Sequence, residues 1–138
     1  MEKILITGTG RCGTTFLIKL FSFLDFNTGY NRDNYESSIF KNCNSGMERN
    51  YKDNYYIVKN PQFMVNIENI IKDKSVTIKH VIIPVRDLKK SAESRVKHNT
   101  KCGGLWNAND LSSQINFYEK ILKNYNFISK NIIYPLYL

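Results

Sequence analysis

The sequence predicts a three-layer α/β fold, a central parallel sheet with flanking helices, in one domain spanning residues 1–138. Three observations carry this. Short apolar runs recur at Lys3–Thr7, Tyr55–Val58, His80–Val85 and Ile132–Leu138. Segments of helical period lie between them, and strands alternating with helices of roughly ten or more residues build βα units with right-handed crossovers. The third run is almost continuously apolar, as a strand covered on both faces must be.

The first run is β-branched and bounded by glycine, which reads as a buried strand. It passes straight into Gly8-Thr9-Gly10-Arg11-Cys12-Gly13. Beyond that turn, Phe16, Leu17, Leu20, Phe21 and Leu24 recur at helical spacing and predict a helix over Thr14–Leu24. Asp25–Asn54 is rich in Asn, Ser and Tyr without a sustained period, and predicts a long irregular segment with at most one short helix; such loops are usually functional or mobile. After the second strand, Pro61 opens a helix whose apolar face is Phe63, Ile67, Ile70 and Ile71. Pro84 places itself near the end of the third strand. A basic helix over Asp87–His98 follows, then a glycine-containing loop around Lys101–Trp106. A last helix over Asp110–Ile128 carries Leu111, Ile115, Tyr118, Leu122 and Tyr125 on one stripe.

Composition limits the function classes. With 42% hydrophobic and 23% charged residues the chain is neither a disordered tail nor a collagen-like fibre. No apolar run approaches the roughly 18 residues of a membrane span. Met1-Glu2-Lys3 leads directly into the first strand, so we expect no signal peptide and a cytoplasmic location. Cys12, Cys43 and Cys102 form no CxxC pair and no closed disulfide set, which favours a reducing compartment. His98 and Cys102 are too few ligands for a structural zinc, and no metal is expected. The formal net charge of +8 is uneven: residues 72–101 hold +6 of it, a localised anion site unless it is only a solvated lysine-rich face.

The spacing Gly8-x4-Gly13-Thr14-Thr15 matches the phosphate loop GxxxxGK[ST] except that Thr14 replaces Lys, giving the fold a P-loop-like start. Small residues let consecutive N–H groups turn inward, and the following helix adds its positive end. The loop loses a mobile ammonium and gains a guanidinium at Arg11, which can grip an oxyanion through two donors.

The segment Arg11-Cys12-Gly13-Thr14-Thr15-Phe16-Leu17 resembles the 5′-phosphosulfate loop of PAPS-dependent sulfotransferases, with Cys12 where Ser is usual. Downstream, Val85-Arg86-Asp87 through Ser94 resembles the family's 3′-phosphate motif, an Arg at a strand end followed eight residues later by a helical Ser. The resemblance covers about the first hundred residues. It implies that Gly10, Arg11, Cys12, Gly13, Thr14 and Thr15 hold the 5′-phosphosulfate of PAPS, that Arg86 and Ser94 hold the 3′-phosphate, and that the product nucleotide is PAP. Lys89, Lys90, Arg95 and Lys97 are expected to be solvated. The family's Lys-Thr-His-x-Pro base is missing from Val58-Lys59-Asn60-Pro61. Other branches use a Glu two to three dozen residues past the loop, and Glu36, 25 residues after Arg11, fits, with Glu48 in reserve. The expected catalytic residues are therefore Arg11 and Glu36.

The resemblance further implies a short or C-terminally truncated member, because relatives continue with another helix and a basic loop over the adenine. The acceptor stays open among small molecules, carbohydrate, lipid and peptide. Two rivals stand beside this reading. A P-loop kinase or nucleotide hydrolase would use Asp87 to support magnesium, against which Thr14 and Arg86 count. A non-catalytic nucleotide- or nucleic-acid-binding module would use the basic cluster, but no nucleic-acid motif accompanies it, and no nucleic-acid partner is expected.

Overall fold

The computed structural model describes residues 1–98 and 111–124, and the backbone of 134–137. The elements in chain order are β1 (Glu2–Ile6), α1 (Thr14–Phe23), a 3-10 turn (Tyr35–Ser38), β2 (Ile39–Phe40), β3 (Ser45–Gly46), β4 (Ile57–Lys59), a second 3-10 turn (Pro61–Val65), α2 (Ile67–Lys72), β5 (Thr77–Val85), α3 (Leu88–His98), α4 (Leu111–Leu122) and β6 (Tyr134–Tyr137). Four strands form one parallel sheet in the order β4-β1-β5-β6.

Alternation along the strands sends side chains to opposite faces, and both faces are covered. Leu5, Val58, Val81 and Ile83 pack with Phe63, Met64, Ile67 and Ile121 on one side. Ile6 and Ile57 pack with Leu17, Ile18 and Met47 on the other. This is the predicted α/β fold, a parallel sheet between helices. Both α1 and α3 start just after the carboxyl ends of adjacent strands, β1 and β5, which is where such sheets bind ligands. Among the described residues no helix is long and apolar enough to cross a membrane.

Tertiary packing altered several local expectations. The helix expected from Pro61 onward is broken at Asn66 into a 3-10 turn and the short α2. Asn60 caps the first piece by accepting a hydrogen bond from Gln62 N at 2.9 Å. The apolar residues whose period predicts α1 do not share one environment. Leu17 is buried, whereas Phe16, Leu20 and Leu24 are exposed, and the buried face is completed by Thr14, Ile18 and Ser22. On α4 the buried side chains are Gln114, Tyr118 and Ile121, so the stripe is rotated toward a polar residue.

The long segment after α1 is organised by a two-residue hairpin, β2 with β3. Gly46 makes it possible. Its φ is +130°, and a Cβ there would collide with the carbonyl oxygen of Ser38. The hairpin presents the Gly46 carbonyl to the end of β4, where Lys59 Nζ donates to it at 2.8 Å. We therefore expect Gly46→Ala to cost about 2 kcal/mol and to lower Tm by roughly 5–10 °C in thermal unfolding; an unchanged Tm would mean that the hairpin is not needed for the fold.

Candidate functional site

The loop between β1 and α1 is shaped by left-handed backbone: Gly10 has φ +75°, Arg11 +57° and Gly13 +105°. Such a conformation is unusual for a residue with a Cβ. Arg11 is held in it by its own side chain, whose Nε donates to Ser94 Oγ at 3.1 Å and whose Nη1 donates to the Cys43 carbonyl at 2.7 Å. Gly8 is required by close approach, since a Cβ there would sit 2.7 Å from Cys12 Sγ. Gly13 precedes α1 with no side-chain cap, and no acidic residue lies in the first turn. The positive end of the helix dipole is thus unopposed at the floor of the loop.

A cavity of about 770 Å³ opens over this loop. Gly10, Arg11, Cys12, Gly13, Thr14 and Thr15 line it, and Arg86 reaches it from the end of β5. Arg86 Nη1 donates to the Arg11 carbonyl at 3.1 Å. Ser94 is not on the wall but joins the site through Arg11. Two segments more than seventy residues apart in sequence therefore meet in one place, because β1 and β5 are neighbours in a parallel sheet.

Arg95 departs from its expected solvated position. It is only 7% exposed and lines the cavity, on the buried face of α3 with Ser91 and Ala92. His98, at the end of the same helix, lines the cavity too. With Lys19 and Lys59 this makes five Lys and Arg side chains on the wall among the described residues, against one described carboxylate, Glu48. Burial is the main influence pulling the Arg11 pKa below its usual value; the Tyr118 hydroxyl opposes it, and the nearby Arg86 and Arg95 charges add to it. An anion placed among these groups relieves their repulsion and restores lost solvation. Cys12 contributes backbone and bulk only: burial pushes its thiol pKa up, so it is not a ready nucleophile.

Lys59 is a cavity residue that sequence reasoning missed. It ends β4 with the same parity as Ile57, which turns its side chain toward α1, and it is 1% exposed. Its Nζ donates to Thr15 Oγ1 at 3.1 Å and Gly46 O at 2.8 Å, and pairs with Glu48 Oε1 at 2.5 Å. Burial lowers the Lys59 pKa, against the raising influence of Glu48. A trace was present in the sequence: a lysine on the inward register of an apolar strand, directly before Asn-Pro.

Glu36 lies elsewhere. It sits in the first 3-10 turn with its side chain 63% exposed, 3.5 Å from Lys41 Nζ, and accepts a bond from the Tyr35 hydroxyl at 3.3 Å. It borders a separate hollow of about 270 Å³ that shares Lys19, Ile39 and Asn44 with the main cavity. Lys89, Lys90 and Lys97 are exposed, as expected. Cys12 is a free buried thiol. Cys102, Trp106 and the glycine-containing loop around them lie outside the described residues. Among the described residues no group of three or more His, Cys, Asp or Glu side chains could hold a metal ion.

The Lys59–Glu48 pair makes an asymmetric prediction. Glu48→Gln leaves a buried ammonium short of its counter-charge and should cost about 1–3 kcal/mol, less than for a fully enclosed pair because Glu48 is 39% exposed. Lys59→Met should cost less than Glu48→Gln, because it removes the buried charge itself. Urea unfolding of both variants checks the order; the reverse order would mean that Lys59 is not stabilised by Glu48. Compared with models of known families and with curated proteins, the chain finds no match.

Proposed function

We propose that this chain binds PAPS in the main cavity and transfers its sulfuryl group to a hydroxyl or amine of an acceptor. The observation that carries the reading is the Arg11–Ser94 hydrogen bond of 3.1 Å, which draws the loop motif and the strand-end motif into one cationic cavity. The loop amides, Thr14, Thr15 and Arg11 hold the 5′-phosphosulfate. Arg86 holds the 3′-phosphate from the end of β5, Ser94 orients Arg11, and Arg95 adds positive potential from α3.

In the transfer the acceptor oxygen or nitrogen forms a bond to sulfur while the bond from sulfur to the 5′-phosphate oxygen breaks, and PAP leaves. Charge grows on the departing phosphate. Arg11 and Lys59 stabilise it from positions already fixed by their own hydrogen bonds. The acceptor proton needs a base, and Glu48 is the carboxylate on the cavity wall. We therefore assign that role to Glu48 in preference to Glu36, which faces the neighbouring hollow.

The position of Asp87 counts against the kinase reading. Asp87 is exposed, and its Oδ1 accepts a hydrogen bond from Lys90 N at 2.7 Å, capping the start of α3.

Thermal shift with PAP in the presence of a chelator tests the reading. PAP should raise Tm, Arg86→Ala should weaken its binding about tenfold or more, the loss of one charge-assisted contact, and Ser94→Ala should weaken it less, acting through Arg11. Because the lysine pKa is lowered from 10.5, its ammonium is neutralised at a pH below that of an ordinary lysine. PAP affinity should accordingly fall with rising pH before 10.5 is reached, and this decline should be reduced in Lys59→Met. Stabilisation by ATP with magnesium and none by PAP would overturn the proposal.

A further inference from the structure

Helix α1 turns an apolar strip outward. Phe16 is 58% exposed, Leu20 41% and Leu24 59%, and a spacing of four residues aligns them along one side of the helix. Phe26, 43% exposed, lies just beyond the helix end. Single exposed apolar side chains are ordinary, but aligned ones form a patch with a use. This patch is continuous with the cavity, because Phe16 belongs to both. Ile39 and Phe40, the latter 59% exposed, form the rest of an apolar rim. Lys59 and Arg95 are buried cations of its wall, so the cavity joins a cationic interior to an apolar rim that runs onto the helix.

We propose that the acceptor is a single-chain amphiphile with a terminal hydroxyl, its head in the cavity and its hydrocarbon chain lying along α1 from Phe16 to Leu24. The proposal rests on the sulfuryl-transfer reading and names its substrate class. Phe16 and Leu24 are about 12 Å apart along the helix axis, and an extended chain covers about 3.5 Å in three bonds, so about ten bonds of chain fill the strip. A carbohydrate would have nothing on this strip to bond with its hydroxyls. The hydroxyl oxygen forms the bond to sulfur, the bond from sulfur to the 5′-phosphate oxygen breaks, and the proton passes to Glu48. The products are an alkyl sulfate ester and PAP.

Ligand-detected NMR with primary alkanols of roughly four to twelve carbons, with and without PAP, tests this in the full chain. Affinity should tighten about two- to fourfold per methylene and level off near ten carbons. Leu20→Ser and Leu24→Ser, both at exposed positions, should flatten the series while PAP affinity is unchanged. An affinity independent of chain length overturns the proposal, as does a slope that survives both substitutions. Two other occupants would overturn it as well: a second copy, seen as a dimer in sedimentation that these substitutions dissociate without any chain-length effect, or a membrane, seen as binding to phosphatidylcholine vesicles but not to monomeric alkanols. If PAP fails to bind while the chain-length dependence and its loss in Leu20→Ser hold, the sulfuryl-transfer reading falls and the amphiphile site stands.

Discussion

A buried ammonium organises the site. Lys59 is carried inward by the parity of a strand it cannot leave, so its charge must be met where it lands. Three groups meet it: the Thr15 hydroxyl from the first turn of α1, the Gly46 carbonyl from the β2–β3 hairpin, and the Glu48 carboxylate just beyond that hairpin. One side chain thereby ties the sheet, the helix after the glycine-rich loop and the long connecting segment to a common point. Without such a demand the stretch between α1 and β4, which buries few apolar side chains, would have little reason to adopt one arrangement over the cavity.

Arg11 does the equivalent work on the other side. Its left-handed backbone lets its guanidinium turn back across the loop, where Ser94 and the Cys43 carbonyl accept its hydrogen bonds. Its remaining donor capacity is available to a ligand. Arg86 and Arg95 approach the same region, and the burial of Arg95 intensifies its charge by removing solvent screening. These cations are close because the ends of β1, β4 and β5 are close, and their mutual repulsion is the stored cost that an anion offsets. The cationic lining of the cavity is thus set by the topology of the sheet as much as by the chemistry of the loop.

Much of the site was legible in the chain because its signals are local. Glycine spacing, a hydroxyl pair, a preceding strand and a following helix all lie within one segment, and each has a direct backbone consequence at Gly8, Gly10 and Gly13. Arg86 and Ser94 were legible for the same reason, since a strand end and one face of the next helix are both set by short-range period. Lys59, Arg95 and His98 were not. A lysine in a strand and a basic residue in a basic helix look like solvent-facing residues, and whether they are depends on what packs over them. Glu36 borders the neighbouring hollow instead, because distance along the chain from the loop carries no information about direction in space once an irregular segment intervenes.

The sequence by itself determined the α/β class, the order of its main elements and the left-handed, glycine-shaped backbone of the loop before α1, because hydrophobic period, glycine and the helix terminus act over a few residues. Only the tertiary structure decided that β4 and β5 flank β1, that Lys59 and Arg95 are buried at the cavity, and that Phe16, Leu20 and Leu24 face outward although they share a period with the core residue Leu17. A helical repeat reports which side chains lie near one another on a helix. It does not report which side the sheet will cover, and that choice was made by packing.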